Sequence, residues 1–439
     1  MTLRTRQVYD DPWILYRYAN NLASGNGWSF NPGVSEANAV TSPLMVLLIA
    51  ALIKASFSAL TASSLLFLIG MWAAAHFAFL TFRLAGKSIA GAIAAALILS
   101  SPWLTALRGM ESALLLGATS IALWAMMADR SWVTGVALGV AILARPDAIV
   151  LTAFSLAILT SRRRMLPWRE LSALVAVVLP WLVYSQLAFH SLLPSTLAAK
   201  QAQRDSGYPW AGLTRTFVSM TVMHGSAGTF LICAALASGG LVIMIWCERQ
   251  PWPLVPLVMA SAASFILYEF VLGIAGYPWY AATVIYSSFL LIALTLDFVA
   301  RQSFRLRIGV LAVAVGLVIA GLSNPYQMPS ERRDEATVAR WLRGHAKPHS
   351  TVAGAEIGQL GFVSRMRVVD YLGLLDPRAD SHIRRGDWDW WVAADHPDYW
   401  VTSRSHSFPP DALVLKSQSF KDNYQMVYET AHLEVYARM

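Results

Sequence analysis

Two adjacent carboxylates, Asp10 and Asp11, stand immediately before Pro12 and the stretch WILYRYANNLA. A carboxylate so placed can take the proton of a hydroxyl as that hydroxyl becomes a nucleophile, a contribution of roughly 10²–10⁴-fold to a rate. Two together can also hold a divalent cation, Mg or Mn, with phosphate oxygens completing its shell. Asp11 followed by Pro12 reads as an N-cap followed by proline at the first helical position. That structural duty leaves Asp10 freer to face a substrate, so Asp10 is the first candidate base and Asp11 the second. Arg17 lies two helical turns from Asp10, where one helix face can present both. It is a candidate contact for a phosphate or an acceptor, and the competing role is snorkelling to lipid headgroups.

Further along, LRGMES places Arg108 near Glu111, a phosphate-binding cation beside a second acid able to orient a hydroxyl or a metal. The competing reading is a helix-end salt bridge, since a glutamate at the start of a helix complements its dipole. Arg145 and Asp147 flank Pro146 between two short apolar blocks; charges at that depth are costly, and the first reading is a structural pair that stabilises a helix break. Lys200 closes LLPSTLAAK in a long connector, where a flexible ammonium is either a surface cation or a phosphate contact. Tyr277, Trp279 and Tyr280 open another apolar block as a membrane-interface aromatic belt or as a platform for sugar rings.

These groups need elements to hold them, and composition says which. Of 439 residues 56% are hydrophobic and 14% charged, against about 25% charged in soluble domains. The deficit is confined to the stretch before Ser323. Apolar blocks near 62–83, 87–107, 111–128, 131–145, 147–161, 171–189, 227–246, 252–273, 278–298 and 306–322 have about the length needed to cross a hydrocarbon core. The formal net charge of +8 does not point to nucleic acid, because most cations sit in short connectors between these blocks. Arg83 and Lys87, Arg130, Arg162 to Arg164 with Arg169, Arg249, and Arg301, Arg305 and Arg307 fall on alternate connectors, which makes that face cytoplasmic. The N-terminal segment, the Arg108 loop, the 190–226 connector, the Tyr277 turn and the C-terminal region then lie outside a plasma (inner) membrane. Pro43–Leu60 fits this arrangement as a re-entrant or juxtamembrane hairpin. Cys233 and Cys247 cannot form a disulfide framework.

The stretch DDPWILYRYANNLASGNGWSFNPG followed by TSPL resembles the GT-C superfamily of polytopic membrane glycosyltransferases. The likeness is greatest to the bacterial branch of arabinofuranosyl- and mannosyltransferases that use polyprenyl-phosphate sugars. SSPWLTALRGMES, LARPDA, LLPSTLAAK and GYPWY follow in the same order. The resemblance implies a fold of about ten to eleven spans, here without the family's first helix, and a small C-terminal α/β soluble domain. It implies the first acid of the pair as the base and a lysine at the Lys200 position near the carrier phosphate. Its partners would be the lipid bilayer, a polyprenyl-phosphate-linked sugar donor and a glycan, lipid or protein acceptor.

The expected organisation is therefore an external segment 1–61, a helical membrane domain 62–322 and an extracytoplasmic α/β domain 323–439. In the last, a helix near Arg332–Arg343 precedes strands at Thr351–Ala355 and Arg367–Asp370, with a turn through Glu356–Gly361 between them. Later strands are expected near Tyr399–Thr402, Met426–Glu429 and Leu433–Ala437. GAEIGQLG lacks the spacing of a dinucleotide-binding turn. GDWDWW, with three tryptophans, favours carbohydrate contact. The alternative to a transferase is a secondary transporter or a flippase for lipid-linked sugars. Transporters often show inverted repeats and mid-depth charges, whereas the candidate charges here cluster on one face.

Overall fold

The computed structural model describes residues 8–34, 38–207, 212–224, 227–246, 252–323, 331–405 and 409–439. Cys247, Arg249 and part of the long connector fall outside them. Every expected apolar block is a helix: Ala59–Leu84, Ser88–Ser100 continued by Pro102–Ala106, Ser112–Met127, Ser131–Ala144, Ala148–Arg163, Trp168–Phe189, Ala227–Trp246, Leu254–Ile266, Ala282–Ala300 and Phe304–Ser323. Among the described residues six helices are long and apolar enough to cross a membrane. The outward faces carry Leu187, 74% exposed, and Leu311, 64% exposed. In water such surface would drive association, whereas in lipid it costs nothing. The chain is a multi-pass membrane protein.

Pro43–Lys54 is a helix of 12 residues. At about 18 Å it is shorter than the roughly 30 Å hydrocarbon core. Ser42 caps it, accepting from the Met45 N–H, and the helix packs on Asp11–Ala23 and Ala59–Leu84. The Leu254–Ile266 helix continues as a π-helical segment, Leu267–Leu272, and Gly273 ends it in a left-handed conformation. The turn Pro278–Ala281 then leads into the next span.

The C-terminal domain begins with the helix Glu331–His345 and holds five strands: β1 Thr351–Gly354, β2 Arg367–Val369, β3 Tyr399–Ser403, β4 Tyr424–Glu429 and β5 Leu433–Arg438. Their order is β2-β1-β3-β5-β4. β1 is parallel to β2 and β3, while β5 is antiparallel to β3 and β4. A parallel pair needs a crossover, and the crossover from β1 to β2 is the helix Ile357–Ser364. This corrects the expected turn through Glu356–Gly361: the segment needs only a short break before it turns helical. GDWDWW is also corrected. Trp388, Trp390 and Trp391 are 7%, 7% and 0% exposed. Trp391 packs on Tyr371 and Trp400 inside the domain, so these rings build a core and not a glycan surface.

The two parts share one hydrophobic core, in which Ile14, Tyr16, Phe30 and Met45 meet Ile357, Leu360 and Val368. Three polar residues of the N-terminal segment bind backbone on the other side. Asn31 donates Nδ2–H to the Val368 carbonyl and accepts from the Val368 N–H, both at 2.9 Å, as a neighbouring strand would. The guanidinium of Arg17 donates to the Phe30 carbonyl at 2.7 Å and the Met366 carbonyl at 2.8 Å. Asp10 accepts from Gly358 and Gln359, as described next.

Candidate active site between the membrane helices and the C-terminal domain

Asp10 and Asp11 share a helix terminus but not an environment. Asp10 is the N-cap residue of the helix Asp11–Ala23, in which Asp11 is the first residue, and no side chain caps that helix. The expected assignment of the cap to Asp11 is thus corrected: the helix starts one residue earlier than the proline suggested. The Asp10 carboxylate instead accepts N–H bonds from Gly358 and Gln359, each at 2.7 Å. Those donors open the Ile357–Ser364 helix, whose exposed N–H groups and dipole favour an anion. A side chain at position 358 would bring its Cβ to 2.2 Å from the Asp10 carbonyl oxygen, so only glycine lets the backbones meet. Position 361 is equally closed, 2.3 Å from Arg17. The glycines of GAEIGQLG therefore serve docking. Burial first, then the Glu356 carboxylate, push Asp10 up to about 7, against the Arg332 guanidinium and the two N–H donors.

Asp11 points elsewhere. It is partly exposed and makes no hydrogen bond or ion pair with any described residue. It lines a cavity of about 470 Å³ enclosed by the N-terminal segment, the ends of several membrane helices, the 190–207 connector and the C-terminal domain. Burial pushes its carboxyl up to about 6, and the Lys200 ammonium is the largest influence in the opposite direction. Lys200 lies on the short helix Thr196–Asp205 and also lines the cavity. Its Nζ donates to the Tyr280 hydroxyl at 2.6 Å and stands 4.6 Å and 5.1 Å from the ring centroids of Tyr277 and Tyr280. Two aromatic faces thus steady the ammonium without neutralising it, and it forms no ion pair with a described acid.

A second polar wall belongs to the membrane helices. Glu111, at the start of Ser112–Met127, accepts from Arg145 Nη1 at 3.1 Å. Arg145 grips Asp147 with Nε and Nη2 at 3.0 Å and 2.8 Å, and the Tyr268 hydroxyl donates to Asp147 at 3.0 Å. The pair across Pro146 bridges the gap between Ser131–Ala144 and Ala148–Arg163, where the helix is broken. With both acids bound to one guanidinium, the triad is largely self-compensated.

Of the nine candidate residues, the cavity gathers Asp10, Asp11, Glu111 and Lys200 with Tyr277, Trp279 and Tyr280. Arg17 and Arg108 are not among its lining residues. Arg17 is 7% exposed, tied to backbone carbonyls and stacked over Phe30 at 4.3 Å. Arg108, 7% exposed, lies close enough to Tyr16 for its charge to act on that hydroxyl. Arg17 was placed by helix-face reasoning, which cannot see a domain folding back from more than three hundred residues away, and Arg108 by its closeness to Glu111 in the sequence. Sequence reasoning missed Arg332, which lines the cavity and donates to Glu335 at 2.7 Å and Glu356 at 3.1 Å. Within ERRDEATVAR nothing distinguishes it from a solvated helix arginine. Tyr268 gave only the signal of a hydroxyl inside an apolar block.

A two-carboxylate metal site at Asp10 and Asp11 does not fit these residues. Both Asp10 oxygens face N–H donors at 2.7 Å, and a helix N-terminus repels a cation. Among the described residues no group of three or more His, Cys, Asp or Glu side chains is arranged to hold a metal ion.

A family described as "Domain of unknown function (DUF8728)" matches residues 324–437. No curated protein sequence matches the chain. Among solved structures, ArnT from Cupriavidus metallidurans bound to undecaprenyl phosphate is similar at 15% identity with a TM-score of 0.63, covering 98% of this chain and 93% of that one. The archaeal oligosaccharyltransferase AglB from Archaeoglobus fulgidus, in complex with an inhibitory peptide and a dolichol-phosphate, is similar at 12% identity with a TM-score of 0.61 over 98% of this chain and 70% of that one. At these identities the likeness shows a shared fold that extends over nearly the whole of this chain.

Proposed function

We propose that this protein is an integral-membrane glycosyltransferase that moves a sugar from a polyprenyl-phosphate donor to an acceptor hydroxyl on the extracytoplasmic face, with Asp11 as the base. The reading rests above all on one observation. A carboxylate without a hydrogen-bond partner among the described residues and an ammonium held by tyrosines face the same cavity at the edge of the membrane helices. The ligands bound to the similar folds, undecaprenyl phosphate on ArnT and a dolichol-phosphate on AglB, support a lipid phosphate as the donor's carrier. The alternating basic connectors support the sidedness.

The chemistry follows from what each group can do. The acceptor O–H gives its proton to the Asp11 carboxylate while its oxygen bonds to the sugar's anomeric carbon. The bond from that carbon to the phosphate oxygen breaks, and its electron pair leaves with the polyprenyl phosphate. The charge developing there meets the Lys200 ammonium, which is already oriented and needs no reorganisation. A carboxyl near 6 is ionised at neutral pH, yet basic enough to share a proton in the transition state. Tyr277, Trp279 and Tyr280 offer ring faces to the sugar. Asp10 holds the C-terminal domain over the site, and the Glu111–Arg145–Asp147 triad holds the wall opposite. The motif resemblance makes arabinofuranosyl and mannosyl donors the first to test, with a cell-wall glycan, a lipid or a protein as acceptor.

The test is transfer from radiolabelled polyprenyl-phosphate sugars in membranes carrying the intact chain or Asp11→Asn. Transfer by the intact chain that the substitution abolishes is the expected outcome. Transfer untouched by the substitution rejects Asp11 as the base. Movement of the labelled lipid across the bilayer with no transfer rejects the enzyme in favour of a flippase.

A further inference from the structure

The helix Ile357–Ser364 separates two cavities. Its N-terminus meets Asp10 beside the site described above. Its other end, about 12 Å away along the axis, opens on a cleft of about 720 Å³ between the 31–34 turn and the C-terminal domain. The lining of this cleft is charged in one sense. Arg17, Arg343, Lys347, His349, Arg365 and Arg367 contribute to it, and no aspartate or glutamate does. Arg343, Lys347, Arg365 and Arg367 are exposed, and their side chains form no ion pair or hydrogen bond with a described residue.

Helix dipoles account for part of this arrangement. Arg343 lies in the last turn of Glu331–His345 and Arg365 just past Ile357–Ser364, where cations are favoured. They do not account for Arg367, which is on β2. They also do not explain why Arg365 takes φ +63° and His349 φ +67°. Arg365 occupies the left-handed position that ends a helix, where glycine is the usual residue because a Cβ is strained there. The fold holds a guanidinium at that place against the conformational preference. Like charges crowded around an open void repel one another, and an anion in the void removes that repulsion.

We infer that this cleft is a second binding site, for a phosphate group, formed jointly by the N-terminal segment and the C-terminal domain. Guanidinium groups suit phosphate because their N–H pairs match two oxygens at once. The phosphate has two possible sources with the same chemistry: the headgroup of an anionic bilayer lipid, or a soluble phosphate ester such as a phosphorylated glycan. The site is independent of the transferase reading, since neither Asp11 nor Lys200 lines it.

The experiment uses the full chain, purified in an uncharged detergent, and titrates inorganic phosphate by calorimetry at constant ionic strength. Lys200→Gln serves as a parallel background that removes the cation of the other cavity. Saturable binding is expected in both proteins, weakened about tenfold or more by Arg365→Gln with Arg367→Gln. Arg343→Gln with Lys347→Gln is a second pair on a different element, expected to act in the same direction should the first pair impair folding. Reconstitution in phosphatidylcholine vesicles, with and without phosphatidylglycerol, separates the sources. A headgroup site makes phosphatidylglycerol compete with inorganic phosphate, whereas a site for soluble esters binds inorganic phosphate equally in both vesicles. Absence of binding in the Lys200→Gln background, or binding that neither pair of substitutions weakens, overturns the inference.

Discussion

Where the N-terminal segment meets the C-terminal domain, Asp10 and Asn31 spend their polar atoms on backbone: two N–H groups on Asp10, and an N–H and a carbonyl on Asn31. One residue further along the same helix end, Asp11 faces a void and meets no donor among the described residues. The same side-chain type therefore builds a latch in one region and part of a cavity wall in the other. The difference is made by what lies opposite: the open end of a helix at Asp10, an ammonium across a cavity at Asp11. To take a substrate hydroxyl, Asp10 would have to give up N–H donors that it already holds, whereas the Asp11 oxygens meet no donor among the described residues and face the cavity.

The most direct way to break this contrast is to neutralise each acid in turn. Asp11→Asn is expected to lower kcat/KM for sugar transfer by roughly 10²–10⁴-fold with an unchanged unfolding midpoint. Asp10→Asn turns an amide N–H toward a backbone N–H, and its expected signature is lost stability. An Asp10→Asn protein that is fully stable yet inactive would exchange the roles of the two acids. Arg145→Gln leaves Glu111 and Asp147 buried without their shared cation, with an expected loss of about 3–5 kcal/mol in unfolding free energy, read by denaturant titration in detergent. Lys200→Gln should reduce kcat by about 10²-fold while donor binding changes less; an equal loss in KM alone would make Lys200 a ground-state contact.

Two smaller effects sharpen the same comparison. Gly358→Ala puts a methyl group into the Asp10 backbone and should cost about 1–3 kcal/mol, accompanied by faster proteolysis of the C-terminal domain. For pH, the Asp11 carboxyl is raised from its usual value to about 6, so the proton-accepting form is lost as pH falls through that value. Transfer should be level near neutrality and fall about fivefold from pH 6 to pH 5. A profile that stays level to pH 4 would place the base on an unperturbed carboxylate.

Much of the site's neighbourhood was legible in the chain. Glu111, Lys200 and the Tyr277–Tyr280 turn follow apolar blocks of membrane length, so each was assigned to the same outer face, and the cavity does collect them. Arg17 was read by helix face alone, and the competing pull of Met366 and Phe30 carbonyls was invisible. The tryptophans of GDWDWW were read as a surface because a short loop sequence carries no periodicity to say which way its rings turn.

Hydropathy was enough for the helices, because a bilayer imposes a length and an apolar composition that each segment meets alone. Short runs rich in β-branched and aromatic residues were likewise enough for the five strands. The different surroundings of Asp10 and Asp11, the close approach at Gly358 and Gly361, and the gathering of arginines around the second cleft needed the folded chain. Each depends on contacts such as Asp10 with Gly358, separated by 348 positions, and a local pattern holds no record of which backbone groups will be left open so far away.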